Sequence, residues 1–233
     1  MPQRIVDLSL TIDDNMPAHK LFQRPFHMPH LTHEQTSSWG LGTEDDPMTT
    51  ATAYVSMNDH VGTHVDSFFH VSPTGGKIAD MPLDMFMGKA VCFDLTHVPD
   101  LGEIDVAEME AAEKASEVTV DGHIVLLNTG LHRRHYPNPE VCTSNPGVSA
   151  EATHWLADRG SKIHGVEGPS TDAPNHALFP NHRVCRDRGL THYEWLVNLE
   201  ELVGKGEFMF YGAPLKLGQG TGGLTRAFAV VDD

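Results

Sequence analysis

Seven short segments of this chain are rich in valine, isoleucine, phenylalanine and threonine, and each is bounded by glycine, proline, asparagine or aspartate. This composition predicts β-strands. Three further segments carry helical patterns that start after an aspartate, serine or threonine N-cap. Because strands occur both before and between the helices, the sequence predicts one α/β domain with a mixed sheet over residues 1–233. The predicted strands are Ile5–Leu10, Thr50–Met57, Lys89–Leu95, His123–Asn128, Ile163–Val166, Phe208–Tyr211 and Ala227–Val231, and the predicted helices are Val106–Ser116, Ala150–Arg159 and His192–Val203.

Two long stretches of the chain show little periodicity. Residues 15–47 contain many proline, histidine and threonine residues. They are predicted to form either an arm that packs on another surface, including that of a second subunit, or a long functional loop. Residues 172–188 are predicted to form a second long loop.

The charge of the chain limits its partners. Its 32 acidic and 16 basic residues give a formal net charge of −16, which repels phosphate backbones and anionic lipid heads. Nucleic acid and membrane surfaces are therefore excluded as expected partners, and a small-molecule substrate is favoured. The sequence shows no apolar run of the roughly 20 residues that a membrane helix needs, and no secretory signal, so a cytoplasmic protein is expected.

The three cysteines argue against a disulfide framework. Cys92, Cys142 and Cys185 are an odd number, lie far apart and form no CxxC pair. Reduced thiols are therefore expected, and a thiolate zinc site is not.

The densest group of chemically active residues is the segment HVGTHVDSFFH, within a chain that contains 16 histidines. Its polar members are His60, His64, Asp66 and His70. Neutral imidazole and carboxylate bind Zn²⁺, Mn²⁺ or Fe²⁺ and can leave coordination positions open for water and substrate. These four residues have even numbers whereas the apolar residues have mainly odd ones, which predicts a polar face opposite an apolar face on extended chain.

A bend must bring these side chains together. A straight strand would separate His60 from His64 by about 13 Å, which is at the limit for sharing one ion. Gly62 permits a bend because it tolerates backbone angles that are closed to other residues. We expect a strand that ends near Met57, then a turn that gathers His60, His64 and Asp66 around a metal. The alternative is a set of hydrogen-bonded structural histidines.

The same eleven residues resemble the HxGTHxDxxxH signature of the cyclase family of metal-dependent hydrolases, which includes bacterial kynurenine formamidase, isatin hydrolase and a trans-dienelactone hydrolase. The similarity extends to three further parts of the chain. These are Val6–Leu10 with Met16 and Pro17, Gly165–Asp172, and Ala213–Leu217 with Arg226 and Ala227. The resemblance implies a swivelling β/β/α fold, a homodimer or homotetramer, and one or two Mn²⁺ or Zn²⁺ ions per chain.

The resemblance also implies roles for individual residues. His60, His64 and Asp66 would bind the catalytic metal, and His70 would transfer a proton. In the binuclear formamidases the aspartate bridges to a second metal, which is held by a histidine and a glutamate twelve residues apart. His182 and Glu194 match that spacing.

Alternatives remain open for the second pair. Thr191 and Glu194 have the spacing of a capping box at the start of the predicted helix, so Glu194 is either a ligand or a cap. His182 is either a ligand or a base or substrate contact beside a single metal. His192 is expected to face solvent on that helix.

Five aromatic side chains are candidates for substrate binding, because they could wall a flat pocket for an aryl ring. They are Phe22, Phe26, Trp39, Phe68 and Phe69. Packing in the hydrophobic core is their alternative role.

The predicted chemistry is metal-assisted hydrolysis of a small amide, lactam or ester, in which His70 moves a proton between water and the leaving group. The resemblance implies an aromatic N-formyl or cyclic amide as substrate. The alternatives are a lactone hydrolase or a polyketide-type cyclase that uses the same metal site, and a non-catalytic metal-binding protein.

Overall fold

The computed structural model describes residues 3–232 and arranges them around one nine-stranded mixed sheet; residues 1, 2 and 233 of the predicted domain lie outside this range. The strands of the described chain are β1 (Gln3–Asp7), β2 (Phe26–Leu31), β3 (Leu41–Gly42), β4 (Pro47–Met48), β5 (Thr52–Ser56), β6 (His64–Asp66), β7 (Met87–Asp94), β8 (Glu103–Ile104), β9 (Ile124–Asn128), β10 (Gly147–Val148), β11 (Ile163–Val166), β12 (Thr191–Glu194), β13 (Phe208–Tyr211), β14 (Gly222–Leu224) and β15 (Phe228–Asp232).

Six α-helices and five short 3₁₀ helices complete the described secondary structure. The α-helices are α1 (His33–Thr36), α2 (Phe68–Val71), α3 (Val106–Ser116), α4 (Leu131–His135), α5 (Ala150–Asp158) and α6 (Pro180–Arg188). The 3₁₀ helices are Ser37–Trp39, Ile78–Asp80, Leu83–Phe86, Pro139–Cys142 and Leu199–Glu201. No helix in residues 3–232 combines the length and the apolar character that crossing a membrane requires.

The sheet has a parallel centre and antiparallel flanks. Its strand order is β1-β15-β13-β7-β9-β11-β12-β6-β14, and the four strands from β7 to β12 run parallel. Helices α3, α5 and α6 lie in the three connections between these parallel strands, as parallel pairing requires. The remaining neighbours in the sheet pair antiparallel. The expected α/β fold with a mixed sheet is confirmed.

Alternation along the strands separates two hydrophobic cores. Leu126 of β9 packs in one core with Tyr193 of β12, and Val125 and Leu127 pack in the other. Met109 of α3 also belongs to this second core, so the helices cover that face of the sheet. Each face of the central strands is therefore buried, which is typical of parallel sheets.

All seven predicted strands are present with small shifts at their ends, and two predicted helices are confirmed. Asp105 caps α3 by accepting a hydrogen bond from the backbone N–H of Glu108. Ser149 caps α5 in the same way, through the N–H of Ala152. These local contacts explain why the two helix starts could be located from sequence.

The predicted helix His192–Val203 is wrong. Residues 191–194 form strand β12, which pairs parallel with β11 and antiparallel with β6. Trp195 and Asn198 both have φ of 58°, a left-handed conformation that a right-handed helix excludes. The capping-box interpretation of Glu194 is therefore wrong as well.

Part of the predicted loop 172–188 is also helical. Helix α6 has Pro180 in its first turn and ends at Gly189, whose φ is 70°. A proline just inside the start of a segment and a glycine just past its end favour a helix. This sequence signal was available for the second half of the loop.

The N-terminal stretch leaves the main sheet and forms its own small ribbons. Strand β2 pairs antiparallel with β5, and β3 pairs with β4. Most side chains of the β2–β5 ribbon are exposed.

Candidate metal centre

Strands β6 and β12 build the floor of the candidate site. They pair antiparallel with Val65 opposite Tyr193 and His64 opposite Glu194. Val65 and Tyr193 pack into the hydrophobic core, so the residues on either side of each point to the opposite face. Those four residues are His64, Asp66, His192 and Glu194, and all are buried.

A turn adds His60 to this face. Gly62 has a φ of 65°, and a Cβ at this position would lie 3.0 Å from Cγ1 of Ile12, so both the backbone angle and the space favour glycine. The turn places Nδ1 of His60 2.8 Å from Oδ1 of Asp66. The sequence-predicted bend is therefore present.

Two short helices bring further histidines. Helix α2 places Nε2 of His70 3.6 Å from Oδ2 of Asp66, with the His70 ring 4.3 Å from the ring of His60. Helix α6 places Nε2 of His182 3.7 Å from the same Asp66 oxygen. Asp172 accepts hydrogen bonds from the backbone N–H groups of Asn181 and His182, which fixes the start of α6.

The donor atoms form two groups that share Asp66. The first group contains His60, His64 and Asp66, and the second contains Asp66, His182, His192 and Glu194. Within each group the donor atoms lie within 4.8 Å of one another. Oδ1 of Asp66 faces the first group and Oδ2 faces the second.

Each of His60, His64 and His182 has one ring nitrogen that faces away from Asp66, and that nitrogen makes a hydrogen bond to a neighbouring residue. Nδ1 of His64 is 2.8 Å from the carbonyl oxygen of Gly62, and Nδ1 of His182 bonds Oδ2 of Asp172. Nε2 of His60 is 2.9 Å from Oγ1 of Thr221, whose hydroxyl donates to Asp59. Such contacts orient metal-binding imidazoles and leave the other nitrogen free to ligate.

The donor set fits a divalent cation. Nε2 of His64 and Nε2 of His192 are buried without a hydrogen-bond partner among the described residues. Nε2 of His64 nevertheless lies 3.4 Å from Oδ1 of Asp66 and 3.4 Å from Oε2 of Glu194. Ligands about 2.0–2.1 Å from a tetrahedral zinc ion are spaced by about 3.3 Å. The orphaned atoms are therefore spaced as metal ligands are.

The charges of the site also favour a cation. Burial lowers the pKa of His64, but the carboxylates of Asp66 and Glu194 outweigh burial and raise it to about 10. Burial lowers the pKa of His182 as well, and Asp172 and Asp66 raise it to about 9. The buried carboxylates thus attract positive charge strongly, and a metal ion competes with these protons. Burial lowers the pKa of His70 below its usual value, so this ring is neutral at neutral pH.

A cavity of about 710 Å³ opens onto both donor groups. His60, Asp66, His70, His182 and Glu194 contribute to its lining. Its walls come from residues 18–22 of the N-terminal stretch, the segment 139–145 and the loop before α6. Most of its exposed lining is apolar, as expected for a small-molecule site.

Comparison with known sequences identifies the family. The Cyclase family model matches residues 6–173. The chain is 31% identical over 175 residues to the kynurenine formamidase of Erythrobacter litoralis, and the alignment covers 74% of each chain. The chain belongs to the cyclase family of metal-dependent hydrolases. It is also 26% identical over 175 residues to the kynurenine formamidase of Bacillus cereus, with 74% of this chain and 77% of that protein covered.

Solved structures with the cyclase fold superimpose on nearly the whole chain. Isatin hydrolase A from Labrenzia aggregata, bound to benzyl benzoate, has a TM-score of 0.85 at 24% identity and covers 99% of this chain and 94% of its own. Isatin hydrolase A from Ralstonia solanacearum has a TM-score of 0.84 at 23% identity, with 99% and 92% covered. The fold expected from the cyclase-family resemblance is confirmed.

The five aromatic residues that were predicted to bind substrate lie in different parts of the structure. Phe22 lines the cavity and its ring stacks on His60 at a centroid distance of 5.6 Å. Phe26 and Trp39 are each 52% exposed and are not part of the cavity lining. Phe68 packs against the hydrophobic core, and the ring of Phe69 lies 5.5 Å from Nζ of Lys77. Only Phe22 of this set is in a position to contact a ligand in the cavity.

Sequence reasoning missed two residues of this cyclase-family site. His192 was expected in solvent but is 2% exposed. A signal was present, because His192 and Glu194 are two residues apart on a strand, as His64 and Asp66 are. Phe179 also lines the cavity, and its ring lies 5.9 Å from that of His182.

Proposed function

We propose that this cyclase-family hydrolase cleaves the C–N bond of an aromatic N-formyl amide or cyclic amide. The observation that carries the proposal is the buried Asp66, whose two oxygens face two groups of imidazole and carboxylate donors at the floor of a cavity. The names of the relatives support the substrate class, since the similar proteins include kynurenine formamidases and isatin hydrolases.

The proposed cofactor is Mn²⁺ or Zn²⁺, held first by His60, His64 and Asp66. This group offers three protein donors, and three-donor sites leave a coordination position for water or substrate. When bound, such an ion lowers the pKa of water toward neutrality and polarises the scissile carbonyl. His60 and Asp66 reach the cavity, so the open position would face the substrate.

His70 is the proposed proton-transfer residue. Its side chain is 31% exposed, lines the cavity and has no ring hydrogen bond to another described residue, whereas His60, His64 and His182 are held at the nitrogen that faces away from Asp66. It can therefore accept a proton from water on the floor of the cavity and return it to the leaving nitrogen.

The cavity walls are suited to an aryl group. Phe22 covers the ring of His60, and Phe179 stands beside His182. Aromatic substrates gain from such offset and edge contacts.

A substrate panel tests the proposal. Protein loaded with Mn²⁺ or Zn²⁺ is assayed with N-formylkynurenine, isatin and an aromatic lactone, with His70→Ala as the matched variant. Turnover of one of the amides, lost in the variant, would support the proposal. Turnover of the lactone alone, or of none of the three, would contradict it.

We also propose that the chain forms a homodimer or homotetramer through the β2–β5 ribbon. Phe26, Met28 and Tyr54 lie on one face of this ribbon and are 52%, 46% and 58% exposed. A two-stranded ribbon is only marginally stable in water by itself, so cover by a second copy would stabilise it. Light scattering on Met28→Lys should show smaller particles than the wild type; equal masses, or a monomeric wild type, would contradict this proposal.

A further inference from the structure

We propose that His192 is a metal ligand and that it completes a four-donor site for a second ion with Asp66, His182 and Glu194. This inference rests on the proposed metal-dependent function. The resemblance to binuclear formamidases implies only His182, Glu194 and the bridging Asp66 for a second ion. His192 would be a fourth donor to that ion.

The position of His192 mirrors that of His64. Nε2 of His192 lies 3.3 Å from Oδ2 of Asp66 and 3.3 Å from Oε1 of Glu194. Nε2 of His64 lies 3.4 Å from the other oxygen of each of the same carboxylates. The two histidines thus occupy equivalent places on opposite sides of the carboxylate pair. If His64 can ligate an ion, His192 has the same geometry for doing so.

Cys185 holds the side of the His192 ring that faces away from the carboxylates. Its Nδ1 lies 3.9 Å from Sγ of Cys185, and that thiol donates to Oδ1 of Asn181 at 3.3 Å. Because the thiol hydrogen is directed to Asn181, the sulfur can only accept from His192. Nδ1 of His192 then carries a proton, which leaves Nε2, the nitrogen beside the carboxylates, as the atom that would ligate an ion.

A proton on Nε2 of His192 would also balance the two carboxylates, but the distances are longer than direct hydrogen bonds favour. A histidine that served only to hydrogen-bond the carboxylates would bring its nitrogen to about 2.7–3.2 Å with good alignment. Nε2 of His192 instead stays at 3.3 Å from both oxygens and makes no hydrogen bond to any described residue. A buried polar atom of this kind needs a partner, and a shared cation supplies one.

The neighbouring His164 shows the contrast. It is fully buried on β11, with its ring 5.5 Å from that of His192. Its Nε2 is 3.0 Å from Oγ1 of Thr171 and 3.3 Å from Nδ2 of Asn181, and it belongs to neither donor group. Nδ1 of His164 is also buried without a hydrogen-bond partner among the described residues, so the two rings differ in the carboxylate pair beside Nε2 of His192. His164 is therefore a histidine of similar burial outside the donor groups and provides a matched control.

The proposal makes the two ion positions unequal. The second group has two imidazoles and two carboxylates, and four protein donors close a tetrahedral site. The first group has three donors, and residues of both groups line the cavity, so the groups differ in donor number and not in access. We expect the second ion to be retained and the first to exchange more readily. Imidazole donors in both groups favour Zn²⁺ over Mg²⁺ or Ca²⁺.

The test compares His192→Val with His164→Val, since valine suits a buried strand at both positions. Zn²⁺ per chain is measured by elemental analysis after dialysis, and affinities are measured by competition with a chromogenic chelator. We expect two ions in the wild type and in His164→Val. In His192→Val we expect the affinity for one ion to fall by at least about 100-fold, since losing even an outer-sphere partner of a ligand costs 10- to 100-fold.

A measurement on the unmodified protein covers the case in which His192→Val does not fold. In ¹¹³Cd-loaded wild type with ¹⁵N-labelled histidine, Nε2 of His192 should show a coupling to cadmium, and His164 should show none. Two ions with unchanged affinity in His192→Val, one ion in the wild type, or no cadmium coupling at His192 would overturn the inference while leaving the proposed function standing. A wild type that binds no divalent ion would overturn both.

Discussion

Asp66 of β6 and Glu194 of β12 lie diagonally on one face of the paired strands, and each turns one carboxylate oxygen toward His64 and the other toward His192. The four nitrogen–oxygen distances are 3.3–3.4 Å. Two buried carboxylates at one place are stable only with positive charge between or beside them. Protons on the imidazoles can supply that charge, and so can divalent ions. These two states differ in how the site responds to loss of a ligand and to pH.

Removing a ligand of the first group should remove metal and activity together. His64→Ala deletes the Nε2 donor that lies near both carboxylates. We expect the affinity for at least one ion to fall by more than about 100-fold and turnover to fall with it. His97→Ala is a suitable control, because His97 is exposed and pairs with Glu108. Full metal content in His64→Ala would show that the first group does not hold the ion.

Removing the proton-transfer residue should separate metal binding from turnover. His70→Ala leaves all six residues of the two donor groups in place. We expect unchanged metal content and a kcat lower by roughly 100- to 10,000-fold. Normal turnover in this variant would refute the role assigned to His70.

Asp172 is expected to act as a positioning residue. It bonds Nδ1 of His182 and the N-terminal N–H groups of α6, and it belongs to neither donor group. In Asp172→Asn the neutral amide should hold the His182 ring less firmly, and we expect the affinity of the second group to fall roughly 10- to 100-fold. Chelator competition measures this affinity directly. An unchanged affinity would mean that His182 does not depend on Asp172 for its orientation.

The affinity for metal should continue to rise with pH even at pH values well above the usual pKa of histidine. The pKa values of His64 and His182 are raised to about 10 and about 9, so both rings carry protons at neutral pH until an ion displaces them. Below these values each displaced proton makes the apparent affinity about tenfold stronger per pH unit. Calorimetry in two buffers of different ionisation enthalpy should detect proton release near pH 7. An affinity that is flat above about pH 7 would contradict the raised pKa values.

Local sequence signals located most of the sheet and the first donor group. The eleven residues around Gly62 contain their own turn and alternation, so His60, His64 and Asp66 could be grouped without knowledge of the rest of the fold. The strands of the parallel centre are short apolar runs bounded by turn residues, so they too can be predicted from the local sequence.

The second donor group could not be derived in the same way. Thr191 and Glu194 have capping-box spacing, and the apolar residues that follow suit a helix as well as a strand. Pairing with β6 and β11, which are distant in sequence, decides for the strand and turns His192 inward. The aromatic residues illustrate the same limit, since only contacts across the fold distinguish the cavity residue Phe22 from the exposed Phe26 and Trp39.

The central claim is that the residues around Asp66 hold divalent metal. The most direct measurement is elemental analysis of protein purified without an affinity tag or chelator, expressed as ions per chain. We predict one or two tightly held Zn²⁺ or Mn²⁺ ions, and two if His192 completes the second group. Protein that retains no metal and takes up none when Zn²⁺ or Mn²⁺ is added would contradict the account.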